Sequence, residues 1–181
     1  MRGIVSPKKI ESKISLKKRE EAKMIEISEN IYIGGSSVYE ENKNKEDMNF
    51  INACKYPYWV EYSNKRCTNG LYGYDKNRLI CNLVDANDIN YIPKEIIEEC
   101  IEFIEKSIRD GKKILINCNQ GVSRSATIGL IYLIKNDKIS GENFKEIIEN
   151  YKKIVPRYNP NFGMLNYAKN YYLKLYNENN G

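Results

Sequence analysis

Apolar and polar positions change period along the chain, and the changes mark its elements. In MIEISENIYIGG (24–35) the two classes alternate before Gly34-Gly35, which predicts one or two short strands and a turn. Residues 36–49 are polar and predict a loop or a short helix. FINACKYPYWVEY (50–62) is aromatic and β-prone. LICNLVD (79–85) is a short apolar run that stops at Asp85, the pattern of a buried strand. Period 3.6 then takes over in residues 93–111. Ile97, Ile101, Ile104 and Ile108 share a helical face, Pro93 suits the first turn and Gly111 ends the helix. KKILIN (112–117) predicts a second buried strand, and a helix follows Gly121 over about 123–136. Further helices are expected at 142–155, with Phe144, Ile147, Ile148, Tyr151 and Ile154 on one stripe, and at 161–176. Strands alternating with helices predict a single α/β domain with a mostly parallel sheet.

Composition narrows the chemistry. A chain of 181 residues suits one domain with a full core. No stretch reaches the roughly 18 apolar residues that span a bilayer, and no apolar run follows the first basic residues as in a secretory signal. A cytoplasmic location is therefore expected. The five cysteines, at positions 54, 67, 81, 100 and 118, are odd in number and widely spaced. That argues for reduced thiols and against a disulfide frame or paired metal ligands. Cys81 and Cys100 fall on apolar faces, whereas Cys54 and Cys67 are expected to be partly exposed. The chain has no histidine, so the commonest metal ligand and general base are missing; neither a metal nor a cofactor is expected. Residues 1–24 carry eight Lys or Arg and three Glu, while the remainder has 21 of each sign. All the excess charge of +5 thus sits in a basic extension. It suits a solvated tail, or an arm for weak contact with nucleic acid, an anionic surface or an acidic partner. The body is assigned to 25–177, with 178–181 as a tail.

One stretch carries a reaction. In LINCNQGVSRSATIGLIYL (115–133) a cysteine ends an apolar strand, and an arginine six positions later opens an apolar helix. A loop closing on a helix N-terminus turns several backbone N–H groups into one concavity, and the helix dipole adds positive potential there. Gly121 allows the tight turn. The Arg124 fork can hold two oxygens of a phosphate. A thiol on the floor of that cradle is expected to be acidic, which favours its nucleophilic form. This arrangement suits in-line attack on phosphorus.

CNQGVSRSATIGLIYL resembles the signature of the dual-specificity branch of the cysteine-based protein tyrosine phosphatases. MIEISENIYIGG resembles the opening strands of that family. LICNLVDANDINYIPKEIIEECIEFI resembles its acid loop and following helix. YKKIVPRYNPNFGML resembles its C-terminal helices, particularly in bacterial and phage members. The likeness covers about residues 25–176 and implies a twisted, mostly parallel sheet of four to five strands between helices. It implies Cys118 as nucleophile, Arg124 as phosphoryl clamp, and Ser125 as a hydrogen-bond donor to the cysteine sulfur. Asn119, Gln120, Gly121, Val122 and Ser123 would offer backbone amides. The family's general acid is an Asp on a loop before the cysteine. Asp85 and Asp88 both qualify; the strand ending LVD favours Asp85, and DAND is also a turn-forming sequence. Family members usually carry His directly before the nucleophile, where this chain has Asn117. Asn117 is therefore expected to brace the loop less well and to leave the thiol less acidic than in a typical member.

The resemblance implies a metal-independent phosphatase acting on phosphorylated protein, at Tyr, at Ser/Thr or at both. The inner loop residues include no lysine or arginine, which argues against inositide headgroups. Two other readings remain at this point. One is an inert pseudophosphatase that binds phosphoproteins, and the other is an RNA 5′-phosphatase guided by the basic extension. Tyr56, Tyr58, Trp59 and Tyr62 would either line the substrate pocket or pack in the core.

Overall fold

The computed structural model describes residues 23–66 and 70–180. Nearly all of the basic extension, and Cys67, lie outside the described residues. The described residues begin with the hairpin β1 (Ile25–Ser28) and β2 (Ile31–Gly34), followed by α1 (Ser36–Asn42) and β3 (Met48–Asn52). A wide helical turn at Lys55–Trp59 leads into α2 (Val60–Arg66). A second hairpin, β4 (Tyr72–Asp75) and β5 (Arg78–Cys81), precedes α3 (Lys94–Arg109). Then come β6 (Lys113–Asn117), α4 (Arg124–Lys135), α5 (Phe144–Ile154) and α6 (Phe162–Asn180).

The strands form one sheet in the order β1-β2-β6-β3-β5-β4. β2, β6, β3 and β5 are parallel, so the sheet is mostly parallel as expected. The antiparallel edge strands β1 and β4 bring the total among the described residues to six, beyond the four to five expected. β6 lies between β2 and β3, so its side chains meet neighbours on both sides and its apolar run is continuous. All four parallel strands end at the same edge of the sheet. That edge is where a loop between strand and helix can gather functional groups from separate parts of the chain.

The two faces of the sheet are unequal. One carries the main core: Ile96, Ile97, Ile101 and Ile104 of α3, most of α4, and Met164 and Ala168 of α6. Every residue of α4 from Arg124 to Ile134 is buried. The other face carries a smaller cluster of Val38, Tyr39, Met48, Phe50, Tyr58, Trp59 and Leu115, together with Cys54 and Cys118. The rings of Tyr39 meet those of Phe50 and Tyr58 edge-on.

Several expectations shift. The polar stretch after Gly35 forms α1. The aromatic run stays in the sheet only to Asn52 and then turns helical, because Tyr58 and Trp59 are drawn into the smaller cluster and this packing overrides their β preference. β5 stops at Cys81, and the chain leaves the ladder before Asp85. The edge strand β4 was not expected; its turn into β5 places Lys76 at φ 56°. Cys54 is buried rather than partly exposed. The last helix runs on to Asn180. No helix among the described residues is long and apolar enough to cross a membrane.

Candidate active site

β6 delivers Cys118 to the C-terminal edge of the sheet, and residues 118–123 turn the chain into α4. Gly121 has φ 74°, and a Cβ there would lie 2.6 Å from the carbonyl carbon of Gly34. Backbone conformation and backbone contact thus each require glycine at this position. The turn from β2 into α1 packs against the outside of the loop. Ser36 N–H donates to Asn119 O at 3.0 Å, and Ser36 Oγ donates to Cys118 O at 3.4 Å. A parallel neighbour strand and its exit turn therefore shape the loop from outside.

Cys118 is 2% exposed. Its sulfur accepts Gly121 N–H at 3.3 Å and lies 3.3 Å from Ser125 Oγ, so two groups able to donate face it. Cys54 belongs to the same buried cluster. Burial pushes the Cys54 thiol up to about 12, against the opposing pull of the Arg124 guanidinium. The pair therefore divides into one cysteine that faces donors and one that stays a neutral thiol.

Arg124, 9% exposed, is held on both arms of its fork. Nη1 donates to Leu83 O at 3.1 Å and Nη2 to Asn119 Oδ1 at 3.0 Å. Its buried Nε has no hydrogen-bond acceptor among the described residues. The nearest carboxylate oxygen, Asp85 Oδ2, is 3.8 Å away. A guanidinium carries five N–H donors, and these two bonds use two of them.

The two candidate acids separate clearly. Asp85 turns toward the loop, and its Oδ1 accepts Ser123 Oγ–H at 2.7 Å. Asp88 is exposed and caps the short helical turn Ile89–Tyr91, accepting Asn90 N–H at 2.9 Å. It acts there as a turn residue.

Asn117, expected to brace the loop less well than a histidine, makes no side-chain hydrogen bond to it among the described residues. It is fully buried and stands in register with Asn52 across the β3–β6 pair. Its Oδ1 accepts Asn52 Nδ2 at 2.7 Å, while Asn117 Nδ2 and Asn52 Oδ1 have no partner among the described residues. Asn117 therefore fastens the ends of two strands.

Two residues of this site were missed in the sequence. Asn52 had a signal, since a polar residue stands at a buried position of an otherwise apolar strand. Asn161 had none. It lies far along the chain in a polar turn, yet its backbone N–H donates to Ser123 Oγ at 3.0 Å and its Nδ2 to Asp85 O at 2.9 Å. Of the aromatic cluster, Tyr58 and Trp59 are core and Tyr56 is exposed.

Known proteins resemble this chain in sequence and in fold. The family profile described as the dual specificity phosphatase catalytic domain matches residues 36–170. A probable dual specificity protein phosphatase of Dictyostelium discoideum is 39% identical over 87 residues, which is 47% of this chain and 36% of that protein. Dual specificity protein phosphatase 1 of Arabidopsis thaliana is 31% identical over 86 residues, 48% of this chain and 41% of the relative. The matched stretch spans about two fifths of the length of these curated relatives. Among solved structures, DUSP15 superposes with a TM-score of 0.58 at 23% identity, covering 82% of this chain and 86% of its own. Human DUSP28 gives 0.59 at 16% identity, with 84% and 95% covered. Both likenesses show the fold.

Proposed function

The chain belongs to the dual specificity phosphatase family, and from that premise we propose that it hydrolyses phosphate monoesters on protein side chains through a cysteinyl-phosphate. One observation carries the reading. The Cys118 sulfur lies within 3.3 Å of both the Gly121 amide and the Ser125 hydroxyl, on a loop that ends at Arg124 with Asp85 alongside.

In the first step Cys118 Sγ attacks phosphorus in line. The S–P bond forms as the P–O bond to the substrate breaks, and the departing oxygen takes a proton from Asp85. Charge on the transferring group is met by the loop amides of residues 119–123 and by the Arg124 guanidinium. In the second step water attacks phosphorus and gives a proton to the Asp85 carboxylate. The S–P bond breaks, and the electron pair returns to a sulfur that the Ser125 hydroxyl and Gly121 amide face. Asp85 takes the acid role over Asp88 because its carboxyl group lies against the loop, whereas the Asp88 side chain is occupied in a local turn. A phosphorylated protein is the proposed substrate, since none of the residues from Asn119 to Ser123 carries positive charge for a polyanionic headgroup.

The test is hydrolysis of para-nitrophenyl phosphate across neutral pH with EDTA present, comparing the protein with Cys118→Ser. Turnover that vanishes in the variant supports the reading, and turnover that survives it contradicts the proposed nucleophile. Absence of turnover with tungstate still bound would leave a module that recognises phosphoproteins.

A further inference from the structure

We propose that Asn161 is a positioning residue for the general acid, holding Asp85 from the connection between α5 and α6; this rests on the assignment of Asp85 above. The Ser123 hydroxyl links the two residues. A serine hydroxyl has one proton to donate and two lone pairs to accept with. Asn161 N–H donates to Ser123 Oγ at 3.0 Å and occupies one of those lone pairs. The single proton then goes to Asp85 Oδ1 at 2.7 Å. Oδ1 is thereby committed, and Oδ2 is left as the oxygen that gives and takes the catalytic proton. Oδ2 is also the oxygen on the Arg124 side, 3.8 Å from Nε.

The same asparagine holds the backbone of the acid. Its Nδ2 donates to Asp85 O at 2.9 Å. Asn161 stands at the N-cap of α6, where its carbonyl accepts Leu165 N–H at 3.0 Å. An asparagine at an N-cap commonly turns its side-chain oxygen to the helix's own amides; the bond made here runs from the side-chain nitrogen to the acid loop. Two neighbours tighten the junction. Asn159 N–H donates to Val122 O at 2.9 Å, tying the same connection to the phosphate loop. A Cβ at Gly163 would lie 2.5 Å from Ala86 O, so the first turn of α6 rests directly on the acid loop. Asp85 follows the end of β5 on a segment without sheet pairing, and its side chain is 29% exposed. Its aim at the phosphate loop therefore depends on Ser123 and Asn161.

A misplaced acid harms reactions according to how much the departing oxygen needs a proton. The distinguishing readout is kcat/KM for phenyl phosphate, whose leaving oxygen is strongly basic, against para-nitrophenyl phosphate, whose leaving oxygen is weakly basic. Asn161→Ala is expected to lower the phenyl phosphate value about tenfold and the nitrophenyl value about twofold or less. Asn161→Asp keeps the size but cannot donate to Asp85 O, and it is expected to do the same; a thermal melt of each variant identifies the one that stays folded. In an Asp85→Asn background, Asn161→Ala should add no leaving-group effect. An equal loss on both substrates, or an undiminished effect in that background, overturns the inference and leaves Asn161 a structural cap. If Asp85→Asn itself shows no leaving-group effect while Cys118→Ser is inactive, the assignment of Asp85 has failed, and the inference falls with it.

Discussion

The proposed phosphate loop and the proposed acid loop meet at one edge of the sheet but are held by different kinds of contact. The phosphate loop is a backbone structure. A central strand feeds it, a buried helix receives it, and Gly121 packs against the main chain at Gly34. Its shape depends on elements that are themselves deep in the core. The acid loop leaves the sheet after Cys81, and Asp85 is aimed by hydrogen bonds to Ser123 and Asn161, which are 38 and 76 residues away. The first region is built by its own segment and the strands beside it. The second is completed by a distant one.

Substitutions can sharpen that contrast. The largest effect is expected in the phosphate loop from Gly121→Ala. It forces a side chain into left-handed backbone, at a cost of about 1–3 kcal/mol, and against the Gly34 carbonyl. Thermal unfolding should fall with it, and turnover of para-nitrophenyl phosphate should drop sharply even in the folded fraction. Wild-type activity in Gly121→Ala would break the account of a backbone-built loop.

In the acid loop, Asp85→Asn should lower kcat/KM for phenyl phosphate about a hundredfold and leave stability nearly unchanged. Asp88→Asn should leave kcat/KM within about twofold, since the side chain serves only a turn. The reverse ranking, read from the same assays, would exchange the roles of the two residues.

Asn52→Ala tests the strand ends beneath the loop. It strips the buried Asn117 of its one side-chain partner, which should cost about 1–3 kcal/mol in denaturant unfolding. A neutral result would mean that the pair contributes nothing to the floor of the site.

The smallest effect concerns Cys54. Its thiol is raised from an ordinary 9.0 to about 12 by burial. The unfolded chain therefore ionises this cysteine before the folded one does. The stabilisation is fully present below pH 9.0 and is lost as pH rises toward about 12. Cys54→Ala should shift overall stability yet flatten its decline in that alkaline window, as followed by melts at increasing pH. An unchanged slope would show that other groups, such as the buried Tyr158 whose hydroxyl burial also raises to about 12, dominate there.

The same contrast explains what could be read in the sequence. The turn from β6 through Gly121 into α4 was legible because each requirement falls within one stretch: an apolar strand, a glycine, an arginine and an apolar helix. The parallel core and helices α3 to α6 were legible by periodicity for the same reason. The turn of residues 55–59 out of the sheet was not, because aromatic residues suit strands locally and only the cluster around Tyr39 shows where they pack. The choice between Asp85 and Asp88 stayed open in the sequence, as the residues that aim Asp85 come from elsewhere. The partner of Asn117 was not legible, because Asn52 becomes its neighbour only when β3 and β6 pair.

The central claim is that phosphorus is transferred to Cys118. The most direct measurement is to incubate the protein with a radiolabelled phosphotyrosine peptide, quench in acid during turnover, digest, and map the labelled peptide by mass spectrometry. The account predicts label on Cys118, absent in Cys118→Ser. Label on another residue, or rapid turnover with no phosphorylated protein trapped at any quench time, would contradict it.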